Sequence, residues 1–92
     1  MPESNVQDLT STINIIGTPH NVILFNDETH GMDEVVGQII KAIHCDEAKA
    51  TAIMYEAHAK GRAIVFSGGV ERCEHVACVL EEIRLGVSIE KA

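Results

Sequence analysis

The feature that most restricts the fold is a set of apolar residues that recur every three or four positions between residues 32 and 43. This spacing puts them on one face of a helix. The face consists of Met32, Val35, Val36, Ile39, Ile40 and Ile43. Because such a face must be covered by another layer of structure, the helix is expected to pack on a sheet or on other helices. The 92 residues of the chain suffice for one domain with one small core.

The rest of the chain supplies the other elements. Asn21–Phe25 and Arg62–Phe66 are short β-branched runs bounded by turn-forming residues, which predicts two buried strands. Asp46 is suited to cap a second helix, and Gly61 is placed to end it. After the break at Ser67-Gly68-Gly69, inward-facing positions predict a third helix: Val70, Cys73, Val76, Ala77, Leu80 and Ile83.

Val87 and Ile89 alternate with polar neighbours and predict a last strand. The resulting order, β-α-α-β-α-β, predicts an α+β fold. It would be a two-layer sandwich in which a three-stranded antiparallel sheet packs on three helices. Residues 1–18 are expected to form a flexible arm, and residues 19–92 the folded domain.

Composition excludes several classes of function. Seven basic residues against fourteen acidic ones give a net charge of −7, which argues against nucleic-acid binding. The three cysteines are an odd number, so we expect free thiols in a reducing compartment. No apolar run approaches the length of a membrane span, and Met1–Thr10 lacks the pattern of a signal peptide. The sequence therefore predicts a cytoplasmic protein that does not bind membranes.

Two segments concentrate groups that could recognise a ligand. One is the loop Asn26–His30, and the other is the end of the second helix, where Met54 and His58 share a face. If these segments meet, an imidazole, an amide and two carboxylates surround a floor made by Met32 and Met54. Such a site would suit a cationic amine attached to an apolar side chain.

Simpler interpretations and other chemistries must be weighed against that hypothesis. Asn-Asp-Glu after a strand is commonly turn chemistry, and a histidine near a helix end commonly interacts with the helix dipole. The methionines could equally be core residues. His44-Cys45 and Cys73-x-His75 lack the paired spacing of a zinc site, so we predict no metal and no cofactor. Neither a phosphate loop nor a nucleophile–base pair can be placed, which argues against an enzyme.

Two blocks of the sequence resemble the ClpS adaptor family. The first is Val22–Glu28 followed by Met32, and the second is Ala50–His58 followed by Gly61-Arg62-Ala63-Ile64. Val76-Ala77 and the ending Ile89–Ala92 add weaker support. The resemblance covers about residues 21–92. It implies an adaptor that binds the amino-terminal degron residue of a protein, typically Leu, Phe, Tyr or Trp. The adaptor would then deliver that protein to a Clp unfoldase.

The resemblance also implies roles for individual residues. Asn26, Asp27 and His58 would hold the free α-amino group, and Met32 would disfavour β-branched first residues. The side-chain pocket and its rim would comprise Glu28, His30, Met32, Val35, Met54, Ala57 and Leu85. The amino-terminal domain of the unfoldase would dock near the start of the third helix, at Glu71, Glu74 and His75. Family and size favour a monomer.

Departures from the family pattern keep an alternative open. His30-Gly31 replaces a more usual Thr-Pro pair, and Ala57 replaces a commonly larger apolar residue, which should deepen the pocket. His75 stands near a usual lysine. The alternative is a protein–protein interaction module on the same scaffold, with altered or no specificity for amino termini.

Overall fold

The predicted order of strands and helices is present in the computed structural model, which describes residues 18–92. The predicted arm therefore lies almost entirely outside the described residues. The elements are β1 (His20–Phe25), α1 (Met32–Ile43), α2 (Glu47–Lys60), β2 (Arg62–Gly68), α3 (Val70–Glu81) and β3 (Val87–Lys91). The strands form one antiparallel sheet in the order β2-β1-β3. The α+β fold predicted from the sequence is confirmed.

The core lies between the helices and one face of the sheet. Val22 and Leu24 of the central strand face the helices and are almost fully buried, together with Ile39 of α1 and Leu80 of α3. The apolar stripe that predicted the first helix thus covers the sheet, as its spacing requires. Because β1 is flanked on both sides, its ends are fixed in position, and the loop that leaves Phe25 starts from a rigid base.

Local signals set the helix ends close to where the sequence predicts them. The Asp46 side chain caps α2 by accepting from the backbone N–H of Lys49 at 2.8 Å. Two boundaries differ from expectation. β2 continues through Ser67-Gly68, and α3 ends at Glu81, so Ile83 lies beyond the helix although it still packs against the core. Arg84 follows with φ 67°, in the left-handed region.

Gly61 is expected to be intolerant of a side chain. It ends α2 with φ 90°, where a Cβ is strained, so Gly61→Ala should lower the free energy of unfolding by about 1 kcal/mol. Gly37→Ala is the matched control. Gly37 is an exposed position of α1 at which an added Cβ meets no atom within 4 Å. The alanine should therefore raise the free energy of unfolding by about 0.5–1 kcal/mol. Urea unfolding measures both, and equal effects would contradict the strained cap.

Candidate functional site

The loop after β1 meets the end of α2 because β1 and β2 are antiparallel neighbours. Phe25 is paired with Arg62, and the backbone N–H of Asn26 donates to the carbonyl of Gly61 at 2.9 Å. Gly61 in turn donates its own N–H to the Ala57 carbonyl at 2.8 Å, which closes the last turn of α2. His58 lies on this turn and is therefore held beside the start of the loop.

A cavity of about 210 Å³ lies between this loop, the start of α1 and one face of α2. Its lining combines apolar side chains with the polar groups of the loop. The lining residues are Leu24, Phe25, Asn26, Asp27, Glu28, His30, Met32, Val35, Met54, Ala57 and His58. The convergence expected from the sequence is therefore present.

The apolar part of the cavity is supplied by two helices. Val35 of α1 and Met54 and Ala57 of α2 are buried. Met32 also lines the cavity, but 49% of its surface is exposed, which places it at the mouth. His58 is exposed as well. The cavity thus has a buried apolar wall and a solvent-exposed rim, a combination that suits a ligand with an apolar body and a polar end.

Asp27 organises the loop in which it lies. Its Oδ1 accepts from the backbone N–H of Thr29 at 2.5 Å and of His30 at 3.1 Å, and its Oδ2 lies 2.5 Å from Nδ1 of His30. Desolvation by burial acts to raise the pKa of Asp27. The hydrogen bonds from the two amides and from the His30 ring outweigh it and lower that pKa below its usual value. Asp27 is therefore a carboxylate with both oxygens engaged.

His30 is held in turn by Asp27. Because an ionised carboxylate only accepts, Nδ1 of His30 carries the hydrogen in this contact. The hydrogen bond to Asp27 raises the pKa of His30. Desolvation opposes that effect, and the negative charges of Asp27 and Glu34 and the backbone of Ile83 add to it. The side chain of His30 is 16% exposed and that of Asp27 is 12% exposed, so the pair is a partly shielded part of the rim.

Asn26 and Glu28 form the more open part of the rim. Nδ2 of Asn26 donates to Oε2 of Glu28 at 3.2 Å, and both residues are exposed. The amide oxygen of Asn26 and the second oxygen of Glu28 have no hydrogen-bond partner among residues 18–92. A second, shallower depression borders the same loop on its other side, where Arg84 and Gly86 complete its lining.

The structure brings nine of the ten residues proposed for the amine site and its pocket to the lining of this cavity. Leu85 is the one that does not line the cavity. It is 3% exposed and belongs to the core cluster, because the chain between α3 and β3 directs it inward between the two layers. Leu24 and Phe25 contribute to the wall instead, which the sequence analysis missed. Their position at the end of β1, directly before Asn26, was the available signal.

The residues predicted to contact a partner lie away from the cavity. Glu71, Glu74 and His75 are all exposed on α3, and their spacing of three and four positions puts them on one face. Among residues 18–92, no group of three or more His, Cys, Asp or Glu side chains is arranged to hold a metal ion. None of the described helices has the length and apolar content needed to cross a membrane.

Comparison with known proteins gives three findings. A family model described as ATP-dependent Clp protease adaptor protein ClpS matches residues 17–84. The E3 ubiquitin-protein ligase UBR1 of Drosophila melanogaster is 26% identical over 83 residues, which are 87% of this chain but only 5% of that relative. The structure of Agrobacterium tumefaciens ClpS2 bound to L-phenylalaninamide has a TM-score of 0.77. The two chains are 20% identical, and their superposition covers 82% of this chain and 98% of the ClpS2 chain. This similarity shows a shared fold.

Proposed function

The chain belongs to the ClpS family of ATP-dependent Clp protease adaptor proteins, and from this premise we propose that its cavity binds the amino-terminal residue of a protein substrate. The free α-amino group lies at the polar rim, and the first side chain lies in the apolar interior. The observation that carries the proposal is that one cavity joins the acceptor groups of the loop and α2 to a buried apolar wall.

The rim matches the chemistry of an α-ammonium group. Such a group has only donors, so its partners must accept. We assign the amide oxygen of Asn26, the open oxygen of Glu28 and a ring nitrogen of His58 as acceptors. Asp27 is proposed to hold the amine with them, as the family resemblance implies. Its oxygens accept from Thr29 and His30, but Oδ2 has only the His30 ring as a partner and keeps a lone pair for a further donor.

The interior matches a large apolar side chain. An apolar cavity of about 150 Å³ is sufficient to bind benzene, so the volume of about 210 Å³ has room for a phenyl ring or a branched aliphatic chain. We propose Leu, Phe, Tyr and Trp as first residues. Met32 at the mouth disfavours a β-branched residue, whose second branch would meet it. The Agrobacterium relative, which was solved with L-phenylalaninamide bound, supports Phe as one such first residue.

The size of these contacts sets the expected affinity. Each charge-assisted hydrogen bond contributes about 1.5–3 kcal/mol, and burial of a Leu or Phe side chain contributes about as much. Two such bonds and one buried side chain give roughly 5–9 kcal/mol before the cost of association. We therefore expect micromolar or weaker dissociation constants for short peptides.

Delivery of the substrate is the second half of the proposal. The exposed face of α3 that carries Glu71, Glu74 and His75 docks on the amino-terminal domain of a Clp unfoldase. This face is on a different element from the cavity, so one monomer could hold a substrate and its partner together. The family description as a protease adaptor supports this role.

The function is tested by peptide titration and by degradation. A peptide that begins with Phe should bind, whereas the same composition beginning with Gly should not. A Phe-initial reporter should be degraded faster by a Clp protease when the chain is present. Equal binding of both peptides would instead favour an interaction module that does not recognise amino termini.

His58→Ala should weaken binding of a Phe-initial peptide by about tenfold, since it removes one acceptor for the ammonium group. The fold should persist because the side chain is exposed. Isothermal titration calorimetry measures the change. Lys60→Ala is the control: it lies in the same helical turn, is exposed and does not line the cavity. Equal affinities for His58→Ala and the unmodified chain would remove His58 from the amine site.

A further inference from the structure

His30 and Asp27 contact each other at the rim of the candidate site. His30 makes two hydrogen bonds to Asp27. Its ring Nδ1 lies 2.5 Å from Oδ2, and its backbone N–H donates to Oδ1. Both side chains line the cavity that would receive the amine. The protonation state of His30 therefore decides whether the charge of Asp27 is balanced inside the site.

Other charged and titratable groups lie near the His30 ring or share a cavity with it. Glu34 of α1 adds negative charge, Glu28 lies in the same loop, and His58 lines the cavity from α2. Arg84 borders the second depression with His30 and is the one cation in its lining. Carboxylates outnumber cations around the ring. The hydrogen bond to Asp27 is the main reason why the pKa of His30 is raised above its usual value.

We propose that His30 controls the amine site electrostatically, so that a proton on its ring and the ammonium group of a ligand compete for the charge of Asp27. This inference rests on the proposed function. With the ring protonated, the His30–Asp27 pair has no net charge, so it does not attract the ammonium group. The positive charge of the His30 ring also repels that group. With the ring neutral, Asp27 contributes one uncompensated negative charge.

The proton on the His30 ring sets the sign of the pH dependence of binding. The proton is retained above the usual pKa of His30, about 6.5, and it is lost as the pH rises through the raised value. The affinity for an amine should therefore increase over that interval. Because linkage is reciprocal, a bound ligand should lower the pKa of His30.

The first experiment compares pH profiles of peptide binding from about pH 5.5, below the usual pKa of histidine, to a pH at which NMR shows that the His30 ring has lost its proton. The unmodified chain should bind a Phe-initial peptide about 3- to 10-fold more weakly at the lowest pH than at the highest, because the His30 ring is protonated there. His30→Gln keeps a neutral donor for Asp27 but cannot be protonated, so its profile should lack that factor. The ratio of the two dissociation constants at each pH cancels the titration of the peptide amine and of every group that the two chains share. His44→Asn, which removes an exposed histidine outside the cavity, is the control and should follow the unmodified chain.

The second experiment follows the His30 ring by NMR. In the free protein its pKa should fall when Asp27 is replaced by Asn, and in the unmodified chain it should fall when the peptide saturates the site. Two outcomes would show that this inference is wrong while the proposed function stands. In the first, the peptide binds, but His30→Gln and the unmodified chain have the same pH profile of binding. In the second, the pKa of the His30 ring stays constant or rises when the peptide binds. Absence of binding at every pH would overturn the proposed function itself.

Discussion

Acetylation of the α-amino group of a Phe-initial peptide is expected to weaken its binding at least a hundredfold. The modification removes the positive charge and leaves a single N–H donor in place of three. Two charge-assisted hydrogen bonds of about 1.5–3 kcal/mol each are then lost or weakened, and a hundredfold change requires only about 2.7 kcal/mol. The acetyl group must also fit at a rim whose proposed acceptors, among them Asn26, Glu28 and His58, line the mouth of the cavity.

The control must separate recognition of the α-amine from general attraction. The chain has a net charge of −7, so any cationic peptide is attracted to some degree. A peptide with the same sequence, in which only an internal lysine side chain is acetylated, loses the same charge without changing the amino terminus. Its affinity should fall by no more than about threefold. Fluorescence anisotropy or calorimetry at fixed ionic strength measures both, and equal losses would mean that the rim does not select amino termini.

Most of the fold was predictable because local and tertiary preferences agree. The stripe from Met32 to Ile43 specifies α1, and the Asp46 cap and the Gly61 stop specify the two ends of α2. The meeting of the loop with α2 follows from the same signals. Once β1 and β2 pair as antiparallel neighbours, Asn26 must lie beside Gly61, and the last turn of α2 lies with them.

The details of the site were less predictable because they depend on choices between competing hydrogen bonds. The sequence allows the Asp27 carboxylate to face the cavity, the solvent or its own loop, and sequence spacing does not rank these options. The backbone amides of Thr29 and His30 decide in favour of the loop. Leu85 illustrates a different difficulty: a residue between two elements can face either layer, and the packing of the whole core determines which.

The substitution Ala57→Leu is expected to abolish detectable binding of Phe-initial peptides, a loss of about a hundredfold or more. Ala57 is 3% exposed and lines the cavity, so the added carbon atoms would occupy the space of the phenyl ring. A displaced ring forfeits about 1.5–3 kcal/mol of burial. It also pulls the ammonium group out of reach of its acceptors. The loss should thus exceed that caused by removing one rim residue.

The effect on folding is expected to be small, because leucine has a helix propensity close to that of alanine and fills an existing cavity. Ala59→Leu is the matched control, the same substitution at an exposed position two residues further along α2, and it should retain binding. Ala57→Val adds less volume and should give an intermediate affinity. Thermal unfolding verifies that each variant is folded, and calorimetry measures binding. A folded Ala57→Leu variant that binds Phe-initial peptides as tightly as the unmodified chain would show that their side chains do not enter this cavity.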